Sequence, residues 1–208
     1  MLNYSIIFTI TVKFNLVDKI KISFRNTLNC TKTVDSSLDI NPEYEFAFLN
    51  RGIALYYGGR AELAIEDLNR FFNKDDSDPF RALWAYFAHH DVSELEGQAY
   101  LASIRPTLDN EHWATTLVDL FLGSVGENDV LNSLLDGVKS QKALTDRLCE
   151  AYFYLGKFHS LRGNSGIASN YFKLALSTNV FDYVEHRYAR MELNRLRELA
   201  SSDLVSEE

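Results

Sequence analysis

Three things are scarce in this chain, and each scarcity closes off a class of function. Cysteine is nearly missing: Cys30 and Cys149 are the only two among 208 residues. They stand far apart, leave a single Cys30 to Cys149 pairing as the one disulfide option, and show no paired zinc-ligand spacing. Positive charge is also short. Lys and Arg number 21 against 29 Asp and Glu, a formal net charge of -8. Apart from Lys13, Lys19, Lys21 and Arg25 the basic residues are scattered, which argues against nucleic acid as the main partner. The third scarcity is of catalytic pattern. The chain has no phosphate-binding glycine loop, no GxSxG, no HExxH and no HxxxH, so the expectation is a non-enzyme with no catalytic residue, no metal and no cofactor.

The histidines and the acidic cluster do not change that reading. His89 and His90 are adjacent, so on a helix they point about 100° apart and read as surface residues. His159 stands where the repeat pattern described below often has tyrosine, and reads as packing. Asp75, Asp76 and Asp78 lack the central glycine and final glutamate of a calcium loop. Their expected role is to turn the chain and cap the helix after Pro79.

Sustained apolar and polar alternation is missing as well, except in the first fourteen residues, so the chain reads as all-helical. What it carries instead is a pattern written twice. Phe48, Arg51-Gly52, Leu55, Ala64 and Leu68 recur as Tyr152, Leu155-Gly156, His159, Ala168 and Phe172. In both copies twelve residues separate the glycine from the alanine and four more lead to a large apolar residue. That is the layout of a tetratricopeptide repeat, a helix hairpin of about 34 residues. The expected fold is all-α: tetratricopeptide-like helical hairpin repeats stacked into a superhelix. Gly52, Ala64, Leu68, Gly156, Ala168 and Phe172 are the predicted packing positions, with each glycine meeting the alanine of the paired helix, small against small.

The glycines of the two copies are 104 residues apart, about three repeat lengths, leaving room for two worn units. Phe80 to His90 reads as a helix. Ser93 caps the next, with Glu96 as capping-box partner. Glu111 to Leu122 reads as another, and Val130, Leu131, Leu134, Leu135 and Val138 fit one more. Before the first good copy, Val34, Leu38, Ile40, Asn41 and Pro42 resemble the end of a preceding repeat. The predicted organisation is an atypical, poorly packed segment over 1–31, a repeat domain over 32–200 and a disordered acidic tail over 201–208.

First helices of such repeats line a concave wall. In that frame Phe46, Leu49, Asn50, Ile53, Tyr56 and Tyr57 form the candidate partner-binding groove of the first good copy, and Glu150, Phe153, Tyr154 and Lys157 that of the last. Tyrosine offers contact area with a hydrogen-bonding tip, and asparagine can bond an extended peptide backbone. The alternative for each residue is packing against a neighbouring hairpin or a second copy.

The runs NRGIALYYGGR (Asn50 to Arg60), LAIEDL (Leu63 to Leu68), DPFRALW (Asp78 to Trp84), FYLGK (Phe153 to Lys157), ASNYFKLAL (Ala168 to Leu176) and VEHRYA (Val184 to Ala189) carry a resemblance to the NlpI-like lipoproteins of Gram-negative bacteria. It covers about residues 32 to 198. The resemblance implies an outer-membrane lipoprotein facing the periplasm, a homodimer of helical repeats. It further implies an adaptor that presents a peptidoglycan endopeptidase to a periplasmic processing protease, gathers cell-wall hydrolases and synthases, and is linked to cell division. One departure concerns location. Cys30 follows Thr27-Leu28-Asn29 rather than the small residues of a lipobox, and the apolar stretch Ile6 to Val12 has no basic residue before it. A signal peptide and lipid anchor are therefore not expected in the chain as written. Two other readings stay open: a cytosolic peptide-binding repeat protein of co-chaperone type, and a purely structural envelope dimer.

Overall fold

The structure is a computed structural model, and it describes residues 45–206, with side chains described as far as Ala200. The expectations for 1–31, for Cys30 and for a worn repeat over Val34 to Pro42 lie outside the described residues. All regular structure among the described residues is helical, so the all-α class holds. The packing divides into two compact units that meet in sequence at Leu108 and Asp109.

The first unit contains α1 (Glu45–Tyr57), α2 (Ala61–Phe72), α3 (Pro79–Val92), α4 (Glu94–Ile104) and a closing 3-10 turn, Arg105–Thr107. The reversal between α1 and α2 is a glycine C-cap. Gly59 takes φ 68°, a region that costs side-chain-bearing residues more. Its N–H donates to Tyr56 O (3.1 Å) while Arg60 N–H donates to Leu55 O (3.0 Å), which satisfies carbonyls the helix end would otherwise orphan. Asp78 starts α3: its Oδ1 accepts from Phe80 N (2.7 Å) and Arg81 N (3.4 Å), and Pro79 occupies the first turn. Nearby, Asp75 Oδ1 accepts from the Ser77 hydroxyl at 2.7 Å, so the aspartates turn and cap the chain as their spacing predicts.

Helix α3 is buried from Ala82 through Ala88 without a break, the mark of a helix covered on several sides, and it packs against α1, α2 and α4. Ser93 Oγ caps α4 by accepting from Glu96 N (3.1 Å). The reciprocal half of the predicted box is diverted, because the Glu96 carboxylate instead bonds His89 Nδ1 (2.9 Å).

The second unit contains α5 (Thr115–Phe121), α6 (Glu127–Ser133), α7 (Gln141–Leu161), α8 (Ser165–Ser177) and α9 (Val184–Ser206). Two predicted helices are shorter than their apolar patterns suggest. Over Glu111 to Ala114 side chains capture the backbone: Asp109 Oδ1 accepts from Glu111 N (2.9 Å) and His112 Nδ1 from Ala114 N (3.2 Å). Such local bonds offer the chain an alternative to helix, and α5 begins only at Thr115. Beyond Ser133 the chain turns, and Gly137 at φ 66° prevents α6 from reaching Val138. The turn from α7 to α8 repeats the glycine cap of the first reversal, with Gly163 at φ 74°, Gly163 N–H on Ser160 O (3.1 Å) and Asn164 N–H on His159 O (3.0 Å). Helix α9 lies against both α7 and α8. Its backbone continues through Ser201 to Ser206. The strong helix formers Glu198, Leu199 and Ala200 carry it forward.

The packing positions are filled in a way that corrects one detail. Ala64, Leu68, Ala168 and Phe172 are fully buried, yet the atoms nearest each glycine belong to the large residue rather than the alanine. A β-carbon on Gly52 would stand 2.6 Å from Leu68 Cγ, and one on Gly156 would stand 2.6 Å from Phe172 Cε1. Small meets large, because a bulky side chain reaching across the hairpin needs a missing one to receive it.

Candidate partner-binding surface

The ten groove candidates separate by burial into a small exposed group and a larger packed one. On α1, Phe46 is exposed and lies tilted on Phe71 at 5.9 Å. Asn50, partly exposed, spends its amide N–H on Phe46 O (2.8 Å), which leaves the side-chain oxygen as an acceptor. Tyr57 is also partly exposed, edge-on to Tyr56 at 4.9 Å. Leu49, Ile53 and Tyr56 are buried. They face inward because α1 packs against both α2 and α3, and a helix covered twice has little face left. On α7 only Glu150 retains partial exposure, while Phe153, Tyr154 and Lys157 are buried.

What buries Tyr154 and Lys157 is α9. Tyr154 donates its phenol hydrogen to Glu185 Oε1 at 3.0 Å. Lys157 Nζ is paired with the Glu192 carboxylate, each side chain 2% exposed. Nothing in residue spacing announces these bonds, since they join positions 31 and 35 residues apart.

Two clusters built around histidine also escape sequence reading. In the first unit His89 is packed rather than at the surface. It bonds Glu96 and stacks on Tyr100 at 4.1 Å, and Asn69 Nδ2 lies 3.4 Å from its Nε2. Burial drives the Tyr100 phenol well above its ordinary value. In the second unit Glu127 accepts from His159 Nε2 (3.0 Å) and from the Tyr171 hydroxyl (2.8 Å). Burial raises the Glu127 carboxyl, but those two hydrogen bonds outweigh it and hold the group below the usual carboxylate range. Burial and then the bond to Glu127 push Tyr171 up to about 12. Both clusters tie helix to helix, and His159 serves packing as its place in the repeat predicts. Cys149 is fully buried, and burial pushes its thiol up to about 11, away from the thiolate that reacts.

Two shallow clefts open on the surface of the described residues. One of about 420 Å³ is lined by Gly59–Leu63, Asp91 and Val92; another of about 410 Å³ lies among Gln141, Lys142, Thr145, Asp146 and Asn179–Tyr183. Among the described residues no three His, Cys, Asp or Glu side chains gather around a possible metal position. No described helix is long and apolar enough to cross a membrane. The chain matches no family model.

Proposed function

We propose that the chain is a non-enzymatic adaptor of the bacterial cell envelope, a repeat protein of the outer membrane facing the periplasm. It binds a processing protease together with peptidoglycan hydrolases and synthases, brings a cell-wall endopeptidase to that protease, acts as a homodimer and serves cell division. Its hairpins stack as tetratricopeptide-like units, and any attachment to the membrane is through lipid rather than a spanning helix.

The observation that carries this reading is the duplicated hairpin itself. The motif runs NRGIALYYGGR, FYLGK and ASNYFKLAL lie on the two hairpins, which share a left-handed glycine in the turn and a glycine under a large side chain of the paired helix. Such hairpins spend their residues on rigid, surface-presenting packing. Phe46, Asn50 and Tyr57 are the side chains of the first hairpin best placed to touch a partner.

A reconstituted assay tests the proposal. The purified chain is added to a periplasmic processing protease and a peptidoglycan endopeptidase, and proteolysis of the endopeptidase is followed with time. Acceleration that Asn50→Ala and Tyr57→Ala reduce supports the adaptor. Unchanged proteolysis, with neither enzyme retained on the immobilised chain, rejects it.

A further inference from the structure

Among the described residues of the first unit, large apolar side chains stand exposed at Phe46, Leu63, Val92 and Leu95. The last three share a signature. Each follows directly on an exposed acid, as Glu62-Leu63, Asp91-Val92 and Glu94-Leu95. Two of these pairs, Glu62-Leu63 from the start of α2 and Asp91-Val92 from the end of α3, line the same cleft of about 420 Å³, beside Gly59 to Ala61. The third pair follows across the Ser93 cap, in the first turn of α4.

Helix geometry accounts for part of this pattern. Glu62 and Glu94 lie in first turns, where a negative charge complements the helix dipole. Asp91 lies in the last turn of α3, where the same dipole disfavours an acid. Leu95, at 80% exposed, is more open than any other large apolar side chain among the described residues. Neither capping nor core packing explains Asp91 or Leu95. Arg60 also lines the cleft, so its lining sets two carboxylates against one guanidinium, and Glu94 follows three residues after Asp91. Arg51, Arg70 and Arg81 of this unit are paired with other acids, Asp67, Glu66 and Glu45. An apolar patch rimmed by polar residues marks an interaction site, and the sign of the rim charge selects the partner.

We propose that this cleft docks a short segment of a partner protein in which Lys or Arg alternates with large apolar side chains. The apolar side chains cover Leu63, Val92 and Leu95 while the cations meet Glu62, Asp91 and Glu94. A second copy offering the same face would bring acid against acid, and a nucleic acid would be repelled. The assignment stands on the first unit alone and holds whichever enzymes the adaptor serves.

The test titrates the full chain with a short labelled peptide of alternating lysine and leucine, followed by fluorescence anisotropy. Two peptides of the same length are its controls, one with serine for leucine and one with glutamate for lysine. Glu62→Gln with Asp91→Asn, and separately Leu63→Ser with Val92→Ser, should each weaken binding of the lysine and leucine peptide about fivefold. Glu111→Gln with Asp136→Asn removes two exposed carboxylates of the second unit and should leave binding within about twofold of the parent. An equal loss in that charge-matched variant overturns the proposal, as does a serine or glutamate peptide that binds as well as the first. A chain that sediments as a dimer until the peptide is added assigns the cleft to a second copy and overturns the partner assignment. The substituted side chains are all exposed, so the variants should melt with the parent. Should any melt lower, hydrogen exchange on the unaltered chain decides: the peptide must slow exchange across Gly59–Leu63 and Asp91–Leu95, and protection elsewhere overturns the assignment.

Discussion

At position 156 the missing β-carbon is what lets Phe172 lie flat against α7, and the same holds for Leu68 over position 52. Gly156→Ala should therefore cost about 1–3 kcal/mol through overpacking, despite the better helix propensity of alanine. Gly166→Ala, with nothing within 4 Å, should cost nothing. Thermal melts of the two variants side by side check the contrast, and a melt of Gly156→Ala unchanged from the parent would refute it. Lys157→Met removes the cation paired with the buried Glu192 carboxylate, for which a loss of about 3–5 kcal/mol is expected, whereas Lys157→Met with Glu192→Leu should recover most of it. Chemical denaturation of the three proteins measures both. Cys149, buried and with its thiol raised to about 11, should resist alkylation in the folded chain and react once it is unfolded, as peptide mapping by mass spectrometry would show. At this scale the glycines were legible because their cost inside a helix demands a compensating contact. The identity of that contact was not, since the spacing suggests the alanine and the geometry selects the residue one turn further on.

Elements were legible wherever their ends are written in local chemistry. Asp78 with Pro79, Ser93, and the glycines at 59 and 163 each name a boundary, and the helices begin and end there. Ser93→Ala should accordingly weaken the first unit by about 1 kcal/mol, detectable as a lower melting midpoint. Boundaries set by competition were not legible: α5 starts late because Asp109 and His112 capture backbone donors, a contest that apolar periodicity does not record. A further expectation concerns the tie between α6 and the α7 and α8 hairpin. The Glu127 carboxyl sits below its ordinary value near 4.5, so its contribution is fully present above that value and disappears as pH falls through the lower, folded one. Because Glu127 is about one third exposed (34%), solvent screens the effect. Glu127→Gln should flatten the decline in melting temperature below about pH 5, and a variant with the parent's slope would contradict the assignment.

Across the described residues, periodicity and the twice-written pattern were enough to identify an all-helical architecture. The candidate surface was legible only in part. Repeat logic treats one face of every first helix as wall, but α1 is covered by α3 as well as α2, and α7 by α9; the α1–α3 and α7–α9 bonds join residues more than thirty positions apart that no local pattern encodes. Of the ten candidates, Phe46, Asn50, Tyr57 and Glu150 keep a surface. Substituting Asn50 or Tyr57 should leave the melting temperature within about 0.5 kcal/mol of the parent's stability, while Ala64→Leu or Ala168→Leu, both at fully buried sites, should lower it by overpacking. The reverse ranking would show that the helical frame is misassigned. The paired glycine contacts also bear on how this chain can be recombined. Leu68 fills one notch and Phe172 the other, so each hairpin is keyed like a lock with its own tooth. A chimera exchanging α2 for α8 would seat an aromatic ring in a recess shaped for an aliphatic branch, and the two modules are interchangeable in sequence register but not in the parts they accept.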